Sequence, residues 1–150
     1  MVKRIAILTS SRADYGIYLP LLNKLKKDVA FDLKIIAFGT HLSVFHGFTL
    51  NQILEDGFTP QYQIESLTDG DSPNAISTAI ALTSMKFADL WKDHQSHFDL
   101  VFCLGDRYEM FAAVISSIPF NIPFAHIHGG EITSGSIDNF FRNCITLASK

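Results

Sequence analysis

The sequence predicts an α/β fold in which helices cover both faces of a parallel sheet. Strand-like and helix-like segments alternate along the 150 residues. The strand-like segments are continuously apolar, as is typical of parallel strands that are buried on both faces, whereas half-exposed strands alternate apolar and polar residues. Right-handed crossovers would join these strands. No linker, repeat or low-complexity tract interrupts the pattern.

The first half of the chain is predicted to contain three strands and two helices. The strands are the apolar runs at residues 4–9, 31–38 and 62–64. Leucines recur near one face of a helix over residues 19–27. Gly39 opens a polar loop, and a short helix follows at residues 50–55.

The longest predicted helix begins the second half. Ser72 caps it and Pro73 occupies its first turn, and apolar residues recur at helical spacing as far as His94. Two further strands and two further helices follow, at residues 100–104, 108–117, 122–127 and 137–148. No stop signal follows the last helix, so we expect the natural chain to continue beyond Lys150.

Composition limits the classes of function. With 47% hydrophobic residues, the chain can form one domain or one half of a two-domain enzyme. A net charge of -3 with scattered basic residues predicts no nucleic-acid partner and no membrane partner. Cys103 and Cys144 suit neither a disulfide framework nor a metal site, and no segment resembles a signal peptide or a membrane span. We therefore expect a cytoplasmic protein.

Ionisable and polar residues follow the predicted strands where each strand ends. They are Ser10, Ser11, Arg12 and Asp14 after the first strand, His41 after the second, Asp106 and Arg107 after the fourth, and residues 126–131 after the fifth. Open α/β sheets bind ligands beyond the carboxyl ends of their strands. The sequence therefore predicts one site at this edge.

The turn after the first strand differs from the usual nucleotide-binding loops. It has neither the Gly-x-Gly-x-x-Gly pattern nor a Walker lysine, so the usual nicotinamide, flavin or ATP sites are disfavoured and no cofactor is predicted. Arg12 could clamp a phosphate at the amino end of the following helix. It could equally pair with Asp14 at the surface, and spacing leaves both interpretations open.

Asp106 and Arg107 are adjacent at the end of a buried strand. Either Asp106 is an oriented base, or the two charges only neutralise each other. The histidine-rich end of the next strand favours the first interpretation.

His126 and His128 are two residues apart, so on an extended strand their side chains would share a face, with Glu131 close by. No third ligand is marked for a metal ion, so hydrogen bonding or proton transfer is favoured and no metal site is predicted.

Asp138 and Arg142 are four residues apart on the last predicted helix, which is the spacing of a helical ion pair. The amino end of this helix also points at the predicted site, so Asp138 could instead be catalytic. Spacing does not separate these interpretations.

Three motifs in order resemble the hydrolysing UDP-N-acetylglucosamine 2-epimerases. They are Ser-Arg-Ala-Asp-Tyr-Gly at residues 11–16, Gly-Asp-Arg-Tyr-Glu at 105–109, and His-Ile-His-Gly-Gly-Glu at 126–131 with Ser-Ile-Asp at 136–138. The resemblance covers nearly the whole chain. It implies a GT-B fold of two Rossmann-like halves, in which the carboxyl-terminal half holds most of the UDP. Residues 1–150 would form the amino-terminal half.

The resemblance implies a reaction and completes the candidate site. A UDP-sugar, either UDP-N-acetylglucosamine or a 4-acetamido-6-deoxy relative, would lose its C2 proton and UDP to give a glycal. Addition of water would then yield the 2-epimer, which bacteria use for sialic-acid-like sugars. The catalytic candidates are Asp106, Glu131, Asp138 and His128. The substrate-binding candidates are Arg12, Asp14, His41, Arg107, His126 and Arg142.

The chain departs from the family pattern at two positions. Family members often have glutamate where His128 stands, and histidine where Asn143 stands. His128 can still transfer protons. Asn143 has no titratable group, so it argues against a proton relay through the last helix.

Two other functions compete with hydrolytic epimerisation. A non-hydrolysing epimerase shares the elimination step but returns UDP to the glycal, although the Gly-Asp-Arg and His-Gly-Gly-Glu forms favour hydrolysis. A non-catalytic domain would bind the sugar nucleotide without turnover. The apolar stripe over residues 85–91 could mediate homo-oligomer formation, but packing in the chain's own core is the favoured interpretation.

Overall fold

The computed structural model describes residues 1–149 and shows a five-stranded parallel sheet. The strands are β1 (Lys3–Thr9), β2 (Phe31–Phe38), β3 (Tyr62–Ile64), β4 (Leu100–Leu104) and β5 (Phe124–Ile127). Their spatial order is β3-β2-β1-β4-β5. The order reverses between β1 and β4, which is where open α/β sheets form a ligand crevice. The predicted Rossmann-like sheet is confirmed.

Within the described part of the chain, five α-helices connect and follow the strands. They are α1 (Arg12–Lys27), α2 (Leu50–Glu55), α3 (Pro73–His94), α4 (Tyr108–Ile115) and α5 (Asp138–Ala148). Short 3-10 turns occupy Gly39–Leu42, Val44–His46 and Ile118–Phe120. Among residues 1–149, no helix is long and apolar enough to cross a membrane.

Helix α1 begins seven residues earlier than predicted. The side chain of Ser11 accepts a hydrogen bond from the Asp14 backbone, and the Asp14 side chain accepts one from the Ser11 backbone. This capping box satisfies two backbone donors at the first turn. Pro20 lies inside the helix, where it lacks a backbone donor. The cap and the buried Tyr15 and Tyr18 extend the helix to Arg12 nevertheless.

Two apolar layers sandwich the sheet. Phe87 and Trp91 of α3 are fully buried in one layer, and Trp91 donates its Nε1 proton to the Ala113 carbonyl at 2.9 Å. Tyr15 and Tyr18 of α1 lie in the other. The aromatic residues of the 85–91 stripe therefore pack in the chain's own core, as predicted.

Strand register sets the level of the two strand ends that matter most for the site. Cys103 of β4 lies opposite His126 of β5, and Leu104 lies opposite Ile127. The two strands thus end side by side. Residues just after Leu104 and Ile127 consequently emerge at neighbouring points on the carboxyl edge.

The turn after β2 leaves no room for a side chain at Gly39. Its φ is +59°, and a Cβ atom there would lie 2.8 Å from the carbonyl oxygen of Ser10. That oxygen also accepts hydrogen bonds from the backbone and hydroxyl of Thr40. The turn is therefore held against the end of β1.

Replacing Gly39→Ala is expected to lower the free energy of unfolding by about 1–3 kcal/mol, because it combines a strained φ with a steric overlap. The matched control is Gly16→Ala, since a Cβ at this helical glycine meets no atom within 4 Å. The control should raise stability by about 0.5–1 kcal/mol. Urea denaturation of both variants measures this, and a similar effect at the two positions would contradict the argument.

Candidate functional site

The predicted site residues follow the carboxyl ends of four strands and divide into two groups. Asp14 and His41 meet beyond β1 and β2. Asp106, His128 and Glu131 follow β4 and β5, and hydrogen bonds connect this group with His126 of β5 and Arg142 of α5. Arg12 and Arg107 stand outside these contacts. The single predicted edge therefore contains one buried cluster and one more open cluster.

The carboxylate of Asp14 holds the turn between β1 and α1. It accepts hydrogen bonds from the Thr9 hydroxyl at 2.5 Å, the Ser10 hydroxyl at 2.8 Å and the Ser10 backbone at 2.9 Å. Ser11 adds its backbone N–H at 3.1 Å. Asp14 is only 5% exposed, so these contacts replace its hydration.

Arg12 is exposed at the first turn of α1. It lines a shallow cavity of about 180 Å³ together with Gln52 and Asp56. Among residues 1–149 it forms no ion pair with Asp14, so the suggested surface pair is wrong. The guanidinium is accessible to an anionic ligand.

Proton counting gives His41 one tautomer. The single hydroxyl proton of Thr9 goes to the Asp14 carboxylate, which can only accept. The Thr9 oxygen therefore accepts from Nε2 of His41, at 2.9 Å. Nδ1 is then bare and accepts from the Thr49 hydroxyl at 2.8 Å. Burial lowers the pKa of His41, and the nearby Asp14 charge opposes that shift only in part.

Arg142 is the buried cation of the second cluster. It is 4% exposed, and its guanidinium donates to the Asp106 carboxylate and, at 2.5 Å, to the Glu131 carbonyl. Its Nε has no hydrogen-bond partner among residues 1–149. The predicted alternative of a helical pair with Asp138 is therefore wrong, because Arg142 reaches across to the end of β4.

Arg107 does not neutralise Asp106 either. Its guanidinium forms two hydrogen bonds with Glu109, at 2.6 Å and 3.2 Å. Glu109 is fully buried in the first turn of α4, where the helix dipole also favours an anion. Glu109 ends the Gly-Asp-Arg-Tyr-Glu motif but was not among the predicted site residues. Its position as the acidic residue in the first turn of a helix was the signal that could have identified it.

His126 makes hydrogen bonds through both ring nitrogens. Nε2 lies 2.7 Å from the carbonyl oxygen of Gly105, and Nδ1 lies 2.8 Å from the hydroxyl of Thr146. Burial lowers its pKa, while the bond to Gly105 acts in the opposite direction. The neutral ring joins the end of β4 to α5.

His128 does not share a face with His126, so that expectation is wrong. Strand β5 ends at Ile127, and His128 has a φ of +64°, in the left-handed region. Its Nδ1 lies 2.5 Å from a carboxylate oxygen of Glu131. Both side chains are substantially exposed, so this pair can exchange protons with a ligand or with solvent.

Asp138 begins α5 and accepts a hydrogen bond from the Ser136 hydroxyl at 2.6 Å. The Ser136 oxygen in turn accepts from the Asp138 backbone at 3.1 Å. This local loop fixes the carboxylate at the start of the helix that carries Arg142. Among residues 1–149, no three histidine, cysteine or acidic side chains are grouped as metal ligands.

The arrangement suits acid–base chemistry. One carboxylate, Asp106, is fixed beside a buried cation, and an exposed imidazole–carboxylate pair lies at the end of the neighbouring strand. Proton abstraction needs a positioned base, and proton return from another direction needs a second group. The two parts of this cluster supply both.

The stability of the 150-residue chain is expected to fall as the pH drops below about 6.5, the pKa of an unfolded histidine. His41 has a lowered pKa when folded, so the unfolded chain binds more protons in this range. Urea midpoints at about pH 7.5 and 5.5 measure the loss. The loss of stability between these two pH values should be smaller in His41→Asn. It should persist in the control variant His97→Gln, which alters an exposed histidine. An equal loss in His41→Asn would contradict the assignment.

Comparison with known proteins supports the resemblance. A model of the UDP-N-acetylglucosamine 2-epimerase family matches residues 23–150. A Legionella pneumophila protein named UDP-N,N'-diacetylbacillosamine 2-epimerase (hydrolyzing) is 36% identical over 99% of this chain, which covers 39% of that protein. Polysialic acid biosynthesis protein P7 of Escherichia coli is 34% identical over 99% of the chain, which covers 38% of it. The chain thus spans about two fifths of the length of these relatives.

Solved structures share the fold. A crystal structure of UDP-N-acetylglucosamine 2-epimerase matches with a TM-score of 0.85 and 16% identity, over 99% of this chain and 40% of that one. The Neisseria meningitidis UDP-GlcNAc 2-epimerase, bound to UDP-GlcNAc, gives a TM-score of 0.80 and 18% identity, over 97% of this chain and 38% of the other. With the family match over most of its length, the chain belongs to the UDP-N-acetylglucosamine 2-epimerase family.

Proposed function

We propose that this chain is the sugar-facing, amino-terminal half of a hydrolysing UDP-sugar 2-epimerase. The observation that carries the proposal is the second cluster, where Asp106 is fixed by Arg142 beside the exposed His128–Glu131 pair. The 36% identical relative is named as a hydrolysing epimerase, which supports this chemistry over others that the fold could host.

The proposed reaction has two steps. A base removes the proton from C2 of the sugar while the bond between C1 and the diphosphate oxygen breaks, which releases UDP and leaves a C1–C2 double bond. Water then adds its hydroxyl to C1, and an acid returns a proton to C2 on the opposite face. The sum is UDP-sugar plus water to UDP plus the 2-epimeric sugar. No electrons are exchanged, so the reaction needs no redox cofactor.

The residues divide this work by position. Asp106 and the His128–Glu131 pair supply proton-transfer groups at two neighbouring strand ends, as removal and return on opposite faces require. Asp138, held by Ser136, provides a third carboxylate at the start of α5. The buried guanidinium of Arg142 places positive charge beside Asp106. We propose these as the catalytic group, with Arg142 also facing the substrate.

Substrate binding is proposed to extend from this cluster toward β2 and β3. Arg107 and Tyr108 line a cavity of about 470 Å³ with Phe45 and Leu67, a size typical of small-molecule sites. We propose that it receives the acylated part of the sugar. We propose that the exposed Arg12 binds a phosphate, whereas the buried Asp14 and His41 would act by shaping the adjacent loops. A carboxyl-terminal half would hold most of the UDP.

The two free cysteines are compatible with a reducing compartment, and we propose that the enzyme acts in the cytoplasm.

A second candidate reaction comes from a relative in Neisseria meningitidis. That protein is named UDP-N-acetylglucosamine 2-epimerase without the hydrolysing label, and it is 26% identical over 99% of the chain. It keeps the non-hydrolysing reaction as the second candidate. Product identity separates the two.

The first test is proton NMR of the full-length protein in deuterated water, with UDP-N-acetylglucosamine and separately with its 4-acetamido-6-deoxy relative. Hydrolytic epimerisation should give UDP and a free 2-epimeric sugar that carries deuterium at C2. A deuterated UDP-sugar epimer with no net UDP would instead establish the non-hydrolysing reaction. Unchanged spectra with both sugars would indicate a domain that binds without reacting.

In full-length protein that circular dichroism shows to be folded, Asp106→Asn should lower the rate of UDP release by about 10²–10⁴-fold, because the amide cannot accept the C2 proton and no longer neutralises the buried Arg142. The matched control is Asp32→Asn. Asp32 lies near the start of β2, at the opposite edge of the sheet, and pairs with Lys34. A coupled assay for UDP measures both variants. Turnover retained in Asp106→Asn would remove this residue from the catalytic group.

A further inference from the structure

Both ring nitrogens of His126 are engaged by the protein itself. A carbonyl oxygen only accepts, so Nε2 must carry the proton that it shares with Gly105 at 2.7 Å. Nδ1 is then bare and accepts from the Thr146 hydroxyl at 2.8 Å. The same hydroxyl lies 3.4 Å from the Gly129 carbonyl, a longer and weaker contact than the one to Nδ1. No ring nitrogen remains for a substrate.

The glycine after the strand completes the enclosure of this ring. A Cβ atom on Gly129 would lie 2.7 Å from the Thr146 hydroxyl oxygen and 2.8 Å from Nδ1 of His126. The absence of a side chain at Gly129 is therefore what lets Thr146 reach the ring. At Gly130 a Cβ would meet no atom within 4 Å, so only the first glycine of the pair has this role.

The carbonyl that His126 holds belongs to the residue just before Asp106. Gly105 has a φ of +82°, so the chain turns sharply between β4 and the carboxylate. Arg142 fixes the side chain of Asp106, and Thr146, through His126, fixes the preceding peptide. Arg142 and Thr146 are four residues apart, which places them one turn apart on the same face of α5. One helix thus holds Asp106 at two points.

We propose that His126 is a positioning residue, which orients Asp106 by clamping the Gly105 carbonyl under the control of Thr146, and that it does not bind substrate. This inference rests on the proposed function, since Asp106 is the base or acid only in that reaction. Misplacing a reacting group by about 1 Å can cost on the order of 100-fold in rate. The clamp should therefore affect turnover more than binding.

The test compares Thr146→Val, Thr146→Ser and Gly129→Ala in the full-length enzyme, with circular dichroism used to restrict the assay to folded protein. Thr146→Val and Gly129→Ala should lower kcat by about 10-fold or more, with KM nearly unchanged. Thr146→Ser keeps the hydroxyl and should recover most of the lost rate. A rise in KM at unchanged kcat would show that the ring contacts substrate, and unchanged kinetics would remove the positioning role.

A second measurement does not depend on activity. In protein labelled with ¹⁵N-histidine, the ring shifts should show His126 with its proton on Nε2, and the Nδ1 shift should move in Thr146→Val. A proton on Nδ1 would overturn the clamp. If the unaltered enzyme shows no epimerase activity, the proposed function is wrong. The ring shifts would then test the hydrogen bonds of His126 on their own.

Discussion

The arrangement of the second cluster depends on a buried cation. Arg142 is almost fully removed from solvent, and an unpaired charge there would cost several kcal/mol. Asp106 supplies the opposite charge, and the Glu131 carbonyl accepts a further hydrogen bond from the guanidinium. Because these partners come from the ends of β4 and β5, the guanidinium draws two strand ends and one helix together. The local geometry follows from satisfying one side chain.

The same logic divides the site into fixed and free groups. Asp14, His41 and His126 have their hydrogen-bonding atoms used by neighbouring residues, and burial keeps both imidazoles neutral. His128 and Glu131 bond to each other but stay exposed. Groups of the first kind build the walls of a site, and groups of the second kind can react. Residue type alone does not distinguish them.

The sequence predicted the order of elements because continuous apolar runs and helical spacing record burial directly. The predicted start of α1 was too late because it followed the leucine spacing from residue 19, whereas Ser11, which caps the helix, was assigned only to the site. Ion pairs were harder to predict from the sequence than the order of elements. Spacing identifies partners within one helix, whereas Arg142 pairs with Asp106, which lies 36 residues away in the sequence. The left-handed turn at His128 could not be predicted either, because the rule that residues two apart share a face holds only while the strand continues, and β5 ends at Ile127.

Helix α5 places strong limits on insertions and deletions. Each residue advances a helix by about 100°, so one residue inserted between Arg142 and Thr146 would swing Thr146 away from His126. The loop that precedes the helix is tied to the same phase, because the Glu131 carbonyl accepts a hydrogen bond from Arg142 and Thr133 exchanges hydrogen bonds with Asn139. Length variation among homologues should therefore be rare from Glu131 to Thr146, which makes the first turn of α5 a natural anchor for aligning distant members.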